Sequence, residues 1–342
     1  MHGGADARGP AGSDFSTCSN AAGPCPQALA AVQRADATRY PDPAATAVRQ
    51  ALAWLHDVEP ERVLVAASAS EFIQRITAVS GRLLPGAVRV PLRAYGDYAH
   101  AAAAWGRAVH RGEAAEDVTL SWHADPGSPC GEDSAPPAGV AVAPAKHPLV
   151  LDAAYAPLRL QGASQWGPAA CDAVFVLHSP NKALGLTGVR GAYAIAPRRA
   201  DFDLQACCAA LAAAAPSWPL SAHAQALLLA WASQPVQDWV RGSHDLLRAW
   251  KSRLQHGLAA RGFELRASVT PFFVACAPVP VDLQSLRGAD VAVRDATSFG
   301  LPGWWRLSVQ PPAVQDALLL ALDRLGDRAG AGRRSVGSEG RA

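Results

Sequence analysis

The chain has 342 residues, a length that suits one large α/β domain or two unequal lobes and excludes fibrous, collagenous and wholly disordered proteins. Its 31 Lys and Arg residues almost balance 29 Asp and Glu, and the formal net charge of +2 predicts neither a nucleic-acid partner nor a membrane surface. The longest apolar runs, 206–215 and 226–232, are shorter than the roughly 18 residues that span a bilayer, and no secretory signal is visible, so we expect a cytoplasmic protein.

The first part of the chain is predicted to be an arm followed by an α/β domain. Residues 1–44 are rich in Gly, Pro, Ser and Ala without clear periodicity. From residue 45, short β-branched runs alternate with helical patterns, which is typical of a doubly wound, mostly parallel sheet. Strands are predicted at 62–66, 87–90, 149–152, 174–177 and 191–195, and helices at 45–56, 71–82, 98–107, 204–215 and 222–232. We therefore assign residues 45–235 to a large α/β domain.

The rest of the chain is predicted to form a smaller α+β domain, residues 236–325. Helices are predicted at 236–261 and 313–325, and strands between them at 272–276, 291–294 and 305–309. The last stretch, 326–342, is rich in Gly, Arg and Ser and is predicted to be disordered.

Cysteine and lysine are both informative. Seven cysteines, an odd number without a C-x-x-C spacing, indicate free thiols, and neither a disulfide framework nor a metal site is expected. Lysine occurs three times, at Lys146, Lys182 and Lys251, whereas arginine supplies the rest of the 31 basic side chains. A lysine that persists under such a bias is a candidate for chemistry.

The most specific segment surrounds Lys182. Residues 179–193 read Ser-Pro-Asn-Lys-Ala-Leu-Gly-Leu-Thr-Gly-Val-Arg-Gly-Ala-Tyr, directly after a predicted buried strand. A lysine that is screened from water has a lowered pKa, so its neutral amine becomes a nucleophile toward an aldehyde. Ser179 and Arg190 supply a hydroxyl and a guanidinium that suit a phosphate ester.

This segment resembles the lysine motif of the class I/II pyridoxal-phosphate aminotransferases, the fold-type I enzymes. The resemblance implies pyridoxal 5′-phosphate as cofactor, Lys182 as the catalytic residue, and a large α/β domain joined to a small α+β domain. Asp152, which ends the strand 149–152, resembles the aspartate that keeps the pyridine nitrogen protonated, and Tyr155 resembles the tyrosine near the cofactor O3′. Taken alone, Asp152 could be an ordinary helix N-cap, but its place at the end of a predicted buried strand, 30 residues before Lys182, favours the cofactor role.

Further cofactor contacts are implied by the same resemblance. Ser68, Ala69 and Ser70 match the phosphate cradle, where backbone N–H groups at a helix N-terminus face the phosphate. Ser68-x-x-Glu71 is also a capping box, so a structural reading of Ser68 stays open.

The ring of the cofactor has two further implied neighbours. Tyr95 begins a Tyr-x-x-Tyr that resembles the family motif whose first ring stacks on the pyridine. Ser128 stands where the family has an asparagine that hydrogen-bonds O3′, and Asn181 replaces the usual hydroxyl residue before the lysine. Because of these departures, the resemblance does not identify the substrate. It still implies the same chemistry for Lys182.

The substrate end is implied by motifs at both ends of the chain. Arg306 resembles the arginine that pairs with the substrate carboxylate, with Arg294 nearby, although a solvated position for Arg294 also stays open. The N-terminal arm resembles that of the L-threonine-O-3-phosphate decarboxylases of cobalamin biosynthesis, which implies substrate contacts from His2 and Asn20. Tyr40 then corresponds to a residue that reaches the neighbouring subunit's cofactor, which implies a homodimer with shared active sites.

Several functions remain open at this stage. The most favoured is decarboxylation of threonine phosphate, and histidinol-phosphate aminotransferases share most of the remaining motifs, so the expected substrate is a phosphorylated amino acid or amine. A catalytically reduced relative that only binds the cofactor is the non-enzymatic alternative. A hydrolase would need a Gly-x-Ser-x-Gly elbow and a dehydrogenase a Gly-x-Gly-x-x-Gly turn, and the sequence has neither.

Overall fold

The structure, a computed structural model, describes residues 3–112 and 115–336, so the predicted substrate residue His2 lies outside the described residues. The strands in chain order are β1 (Ser13–Asp14), β2 (Val63–Ala66), β3 (Ala87–Val90), β4 (Val109–Arg111), β5 (Val118–Ala124), β6 (Leu149–Asp152), β7 (Phe175–His178), β8 (Ala192–Ile195), β9 (Glu264–Leu265), β10 (Phe272–Cys276), β11 (Val291–Ala292), β12 (Arg294–Asp295) and β13 (Trp304–Ser308). The helices are α1 (Pro26–Gln33), α2 (Thr46–His56), α3 (Ala69–Leu83), α4 (Gly96–Ala104), α5 (Pro168–Cys171), α6 (Leu204–Ala213), α7 (Ala222–Trp231), α8 (Gln234–Ala259), α9 (Leu283–Gly288) and α10 (Pro312–Val336). Within the described ranges, no helix combines the length and apolar character needed to cross a bilayer.

The main sheet confirms the predicted doubly wound, mostly parallel architecture. Its seven strands lie in the order β2-β8-β7-β6-β5-β3-β4. Strands β3 to β7 pair in parallel, and β8 runs antiparallel to both of its neighbours. Ala124, Asp152 and Leu177 lie side by side, so β5, β6 and β7 end at one edge of the sheet. Loops at this carboxyl edge are where open α/β sheets bind ligands.

Both faces of the main sheet are covered by apolar cores, which explains the continuous apolar strands. In β6, Leu149 and Leu151 belong to one core and Val150 to the other, as the alternation of strand side chains requires. On the second face, α3 places Phe72 and Ile76 one turn apart against the sheet. Burial on both faces fixes the strand ends and therefore the positions of the loops that follow them.

A second, antiparallel sheet follows the main sheet in the chain. It has four strands in the order β12-β13-β10-β9, and a core that includes Leu254 of α8 and Leu318 of α10 packs against it. The N-terminal segment joins this part, because β1 pairs in parallel with β11 and Arg287 binds the Asp6 carboxylate. The domain boundaries at residues 44/45 and 235/236 remain predictions.

Several elements differ from the sequence expectation. Helix α1 lies inside the predicted arm, and strand β5, whose residues alternate apolar and polar side chains, was not predicted. The predicted strand at 291–294 is two short strands, β11 and β12. Helix α10 continues past the predicted end at Leu325 to Val336, so it includes residues 326–336 of the tail that was predicted to be disordered.

His56, His178 and Tyr193 pack together at the end of β7. The Tyr193 hydroxyl lies 2.7 Å from His56 Nε2 and accepts a hydrogen bond of 3.0 Å from Trp231 Nε1. The His178 ring stacks on Tyr193 with centroids 4.8 Å apart. Burial lowers the pKa of His56 to about 4, and burial together with His56 holds the pKa of His178 well below its ordinary value. Both imidazoles are therefore neutral at pH 7.

We expect the free energy of unfolding to fall as the pH drops from about 6.5 toward 4. In that window the unfolded histidines bind protons and the folded ones do not, so stability rises with pH, by on the order of 3 kcal/mol for His56. Denaturant unfolding at several pH values measures this slope. The His56→Gln variant should have a shallower slope, and the exposed His256→Gln variant should keep the wild-type slope. Equal slopes in all three proteins would contradict the prediction.

Candidate functional site

A pocket of about 520 Å³ opens at the carboxyl edge of the main sheet, facing the second sheet. It is lined by the loops after β5, β6 and β7, the start of α3, part of α4 and the N-terminal segment. Most of the predicted site residues meet there: Ala69, Ser70, Tyr95, Ser128, Asp152, Tyr155, Ser179, Lys182, Arg190, Arg294 and Arg306. Residues far apart in the sequence thus share one cavity.

Lys182 lies in the turn that follows β7. Its Nζ donates to Ser179 Oγ at 3.3 Å and lies 5.5 Å from the centroid of the Tyr155 ring. Burial lowers the pKa of Lys182, the Asp152 carboxylate opposes this shift, and the Arg190 cation adds to it. The neutral amine is therefore more populated than in an exposed lysine.

The turn after Lys182 depends on a glycine. Gly185 has φ +65°, and a Cβ there would lie 3.1 Å from the Asn20 carbonyl oxygen. A side chain at this position would therefore be strained and crowded. The close approach lets the N-terminal segment pack directly on the lysine loop.

Asp152 is held at the end of β6 by two donors. Its Oδ2 accepts a hydrogen bond of 2.6 Å from the Tyr98 hydroxyl, and its Oδ1 accepts one of 2.9 Å from the Ala154 N–H. The neighbouring Tyr155 packs on Phe272 with ring centroids 4.6 Å apart. Burial raises the pKa of Tyr155 well above its ordinary value, so its hydroxyl stays protonated and can donate.

The N-terminus of α3 faces the pocket. Ala69 and Ser70 line the cavity and lie in the first turn of α3, where backbone N–H groups have no partner inside the helix. Ser68 is the N-cap, accepts from the Glu71 N–H at 3.1 Å, and is not among the lining residues. The structural reading of Ser68 is therefore the one that the geometry favours.

The opposite end of the pocket carries two buried arginines. Arg294 and Arg306 lie opposite each other on β12 and β13 and are 6% and 8% exposed. Arg306 donates to Ser128 Oγ at 3.1 Å and to the Ser16 carbonyl at 3.0 Å, whereas its buried Nε has no acceptor among the described residues. Arg294 donates to Ser298 Oγ at 2.9 Å. Neither guanidinium forms an ion pair with a carboxylate of the described chain, so both charges are available to an anionic ligand.

The sequence matches the family model described as aminotransferase class I and II over residues 13–324. The chain belongs to this family. Membership confirms the predicted fold-type I architecture and the prediction of a pyridoxal-phosphate-dependent enzyme.

Individual relatives agree with the family assignment. A histidinol-phosphate aminotransferase of Rubrobacter xylanophilus is 26% identical over 325 residues, covering 88% of this chain and 88% of that protein. The structure of a histidinol-phosphate aminotransferase of Sinorhizobium meliloti in complex with pyridoxal 5′-phosphate has a TM-score of 0.74 at 20% identity, over 92% of this chain and 91% of that one. That of L-threonine-O-3-phosphate decarboxylase of Porphyromonas gingivalis has a TM-score of 0.75 at 20% identity, over 92% and 99%.

The lining residues of this family member fit the cofactor. One cavity contains an amine with a lowered pKa (Lys182), a buried carboxylate with no ion-pair partner in the described chain (Asp152), and a helix N-terminus with a guanidinium beside the lysine loop (Arg190). These groups match an aldehyde, a pyridinium nitrogen and a phosphate, respectively.

Asn20 is a predicted site residue that does not line the pocket. Its side-chain N–H groups donate to the Ala183 carbonyl at 3.0 Å and to Ser243 Oγ at 2.9 Å, and its oxygen accepts from the Ala22 N–H. The side chain thus ties the N-terminal segment to the lysine loop, and its polar groups are not free for substrate. The predicted substrate contact from Asn20 stays a prediction.

Ser128 and Tyr40 stand apart from their predicted partners. The Ser128 hydroxyl lines the pocket but accepts from Arg306, which places it at the substrate end. Tyr40 is 81% exposed, stacks on Trp218 with centroids 4.4 Å apart, and does not line the pocket of its own chain. Its predicted contact with a second subunit stays a prediction.

The sequence reasoning missed several lining residues. They include Gly3, Ser16, Thr17, Cys18, Asp97, His100 and Thr187. The N-terminal ones reach the pocket because β1 pairs with β11, a contact between distant segments that no local pattern announces. Tyr98 was recognised as part of the Tyr-x-x-Tyr motif but was given no role. Its spacing of three residues from Tyr95 was a usable signal, because residues three apart at a helix start lie on the same face.

Proposed function

We propose that the chain acts on a phosphorylated amino acid and that its reaction is the decarboxylation of L-threonine O-3-phosphate. The observation that carries the proposal is the pair of buried guanidiniums, Arg294 and Arg306, which no carboxylate of the described residues neutralises. Buried charges need partners, and a substrate with both a carboxylate and a phosphate supplies two.

The cofactor end is assigned by the chemistry of its residues. Pyridoxal phosphate, when bound, supplies a protonated ring that accepts electrons as a bond at the substrate Cα breaks. Lys182 provides the amine that holds it and, when free, carries protons to and from Cα. Asp152 would hold the ring nitrogen, and Ser70, Ser179 and Arg190 would hold the phosphate.

The substrate end determines which bond breaks. Arg306 would take the α-carboxylate in a bidentate pair, because its Nε is buried without an acceptor, and Arg294 would take the second anion. The angle at which Arg306 holds the carboxylate relative to the cofactor ring then selects either loss of carbon dioxide or loss of the Cα proton.

Histidinol-phosphate transamination is the second candidate. Two curated relatives are histidinol-phosphate aminotransferases, and the similarity to this chain covers most of the length of each. Purified protein given L-threonine phosphate should release carbon dioxide. Histidinol phosphate with 2-oxoglutarate should yield glutamate only if the second candidate is correct. Glutamate formation without carbon dioxide release would replace the first proposal with the second.

A homodimer with shared active sites is proposed as well, because Tyr40 is exposed and held rigid by its stack on Trp218. If its hydroxyl reaches the partner's cofactor phosphate, Tyr40→Phe should weaken cofactor affinity about 10-fold, the value of one hydrogen bond to a charged group. Trp54→Phe, at another exposed aromatic residue, is the matched control. Titration of the apoenzyme and sedimentation measure both parts, and a monomer with full cofactor affinity would refute the proposal.

A further inference from the structure

We propose that Tyr98 is a positioning residue for the cofactor, whose hydroxyl fixes the Asp152 carboxylate in the orientation that receives the pyridine nitrogen. The inference rests on the proposed role of Asp152 and goes beyond it by naming the side chain that prepares this carboxylate. Tyr98 itself acts through Asp152 and needs no contact with the substrate.

The Asp152 carboxylate has one donor on each oxygen. The Tyr98 hydroxyl donates to Oδ2 at 2.6 Å, and the Ala154 N–H donates to Oδ1 at 2.9 Å. Two donors on two oxygens set the plane of the carboxylate as well as its position. The residue is 8% exposed, so solvent cannot easily replace a lost donor.

Tyr98 is itself rigidly held. Its ring stacks on Trp122 of β5 with centroids 4.4 Å apart and an interplanar angle of 8°, and the edge of Tyr95 packs against it at 5.8 Å. Trp122 lies beside Val150 of β6 in the sheet. The stack on Trp122 therefore fixes the position of the Tyr98 hydroxyl relative to the strand that carries Asp152. Burial and the Asp152 carboxylate raise the pKa of Tyr98 well above its ordinary value, so the hydroxyl remains a donor at every working pH.

The hydroxyl is needed because the carboxylate has little other support. Asp152 forms no ion pair with a cation of the described chain, and among the described residues its carboxylate oxygens accept hydrogen bonds from the Tyr98 hydroxyl and the Ala154 N–H alone. Removing one donor leaves a buried carboxylate oxygen unsatisfied and free to turn away. The cofactor would then bind to a carboxylate that must first be reoriented.

The test uses the full-length apoenzyme titrated with pyridoxal 5′-phosphate. We expect Tyr98→Phe, which keeps the stack on Trp122, to raise the cofactor Kd about 10-fold or more and to reduce the visible circular dichroism per bound cofactor. Tyr193→Phe removes another buried tyrosine hydroxyl, outside the pocket, and should leave both quantities unchanged. Equal effects from the two variants, or wild-type values for Tyr98→Phe, would overturn the inference.

A double-mutant cycle tests whether Tyr98 acts through Asp152. In an Asp152→Asn background, Tyr98→Phe should change the cofactor Kd by about twofold or less, because the two residues form one unit. Additive losses, or a Tyr98→Phe chain that binds no cofactor in either background, would overturn the inference. If Asp152→Asn alone leaves the Kd unchanged, the proposed cofactor site itself fails, which separates the two hypotheses.

Discussion

Replacing Lys182 with alanine should reduce turnover about a thousandfold or more. The variant loses the amine that burial keeps partly neutral, and no other lysine lines the pocket of the described chain. Borohydride treatment of the wild-type holoenzyme should bleach its long-wavelength absorbance and leave the cofactor covalently attached to Lys182, which peptide mapping can locate. The variant should show neither change.

Lys146 and Lys251 provide the controls for that experiment. Lys146 is exposed, and Lys251 is buried with its amine bonded to the Ser268 carbonyl, outside the pocket. Lys146→Ala should therefore keep wild-type activity and labelling. Attachment of the cofactor at Lys146 or Lys251, or an unaltered spectrum in Lys182→Ala, would refute the assignment of the catalytic lysine.

The cofactor end of the site was predictable because its signals are local. Lys182 and Asp152 each follow a short apolar strand, and the strands read clearly because both of their faces are buried. Parallel strands that end at one edge bring such residues together whatever the length of chain between them. The resemblance to the family supplied the roles of the two residues, and the topology explains why the structure brings them into one pocket.

The parts that were missed depend on partners distant in sequence. Strand β5 has Thr119 and Ser121 at buried positions, and they are tolerated because Arg107 donates to Thr119 Oγ1 and His147 pairs with Ser121 Oγ. The alternation of apolar and polar side chains in this segment is a strand signal, but the sequence does not show that its polar positions are buried. The hydrogen bonds of Asn20 could not be predicted for the same reason, since its acceptor Ser243 lies 223 residues further along the chain.

Replacing Arg306 with alanine should lower kcat/KM for L-threonine phosphate by about 10- to 100-fold or more. The loss corresponds to a charge-assisted bidentate contact worth roughly 1.5–3 kcal/mol. Arg306→Lys keeps the charge but not the planar fork, so it should recover only part of the loss. Steady-state kinetics on purified variants measure both effects, and Arg266→Ala, which removes a cation stacked on Trp304 outside the pocket, is the matched control.

The same variant discriminates between the two candidate reactions, because histidinol phosphate has no carboxylate. If Arg306 binds the α-carboxylate, the Arg306→Ala change should leave the first step with histidinol phosphate nearly unaffected. It should lower kcat/KM for every amino-acid substrate. Arg306 also donates to the Ser16 carbonyl, so a collapse of the N-terminal segment would impair both substrates alike. Equal losses on the amine and on the amino acid would therefore assign Arg306 to holding this segment, and the carboxylate would have to be bound by Arg294 alone.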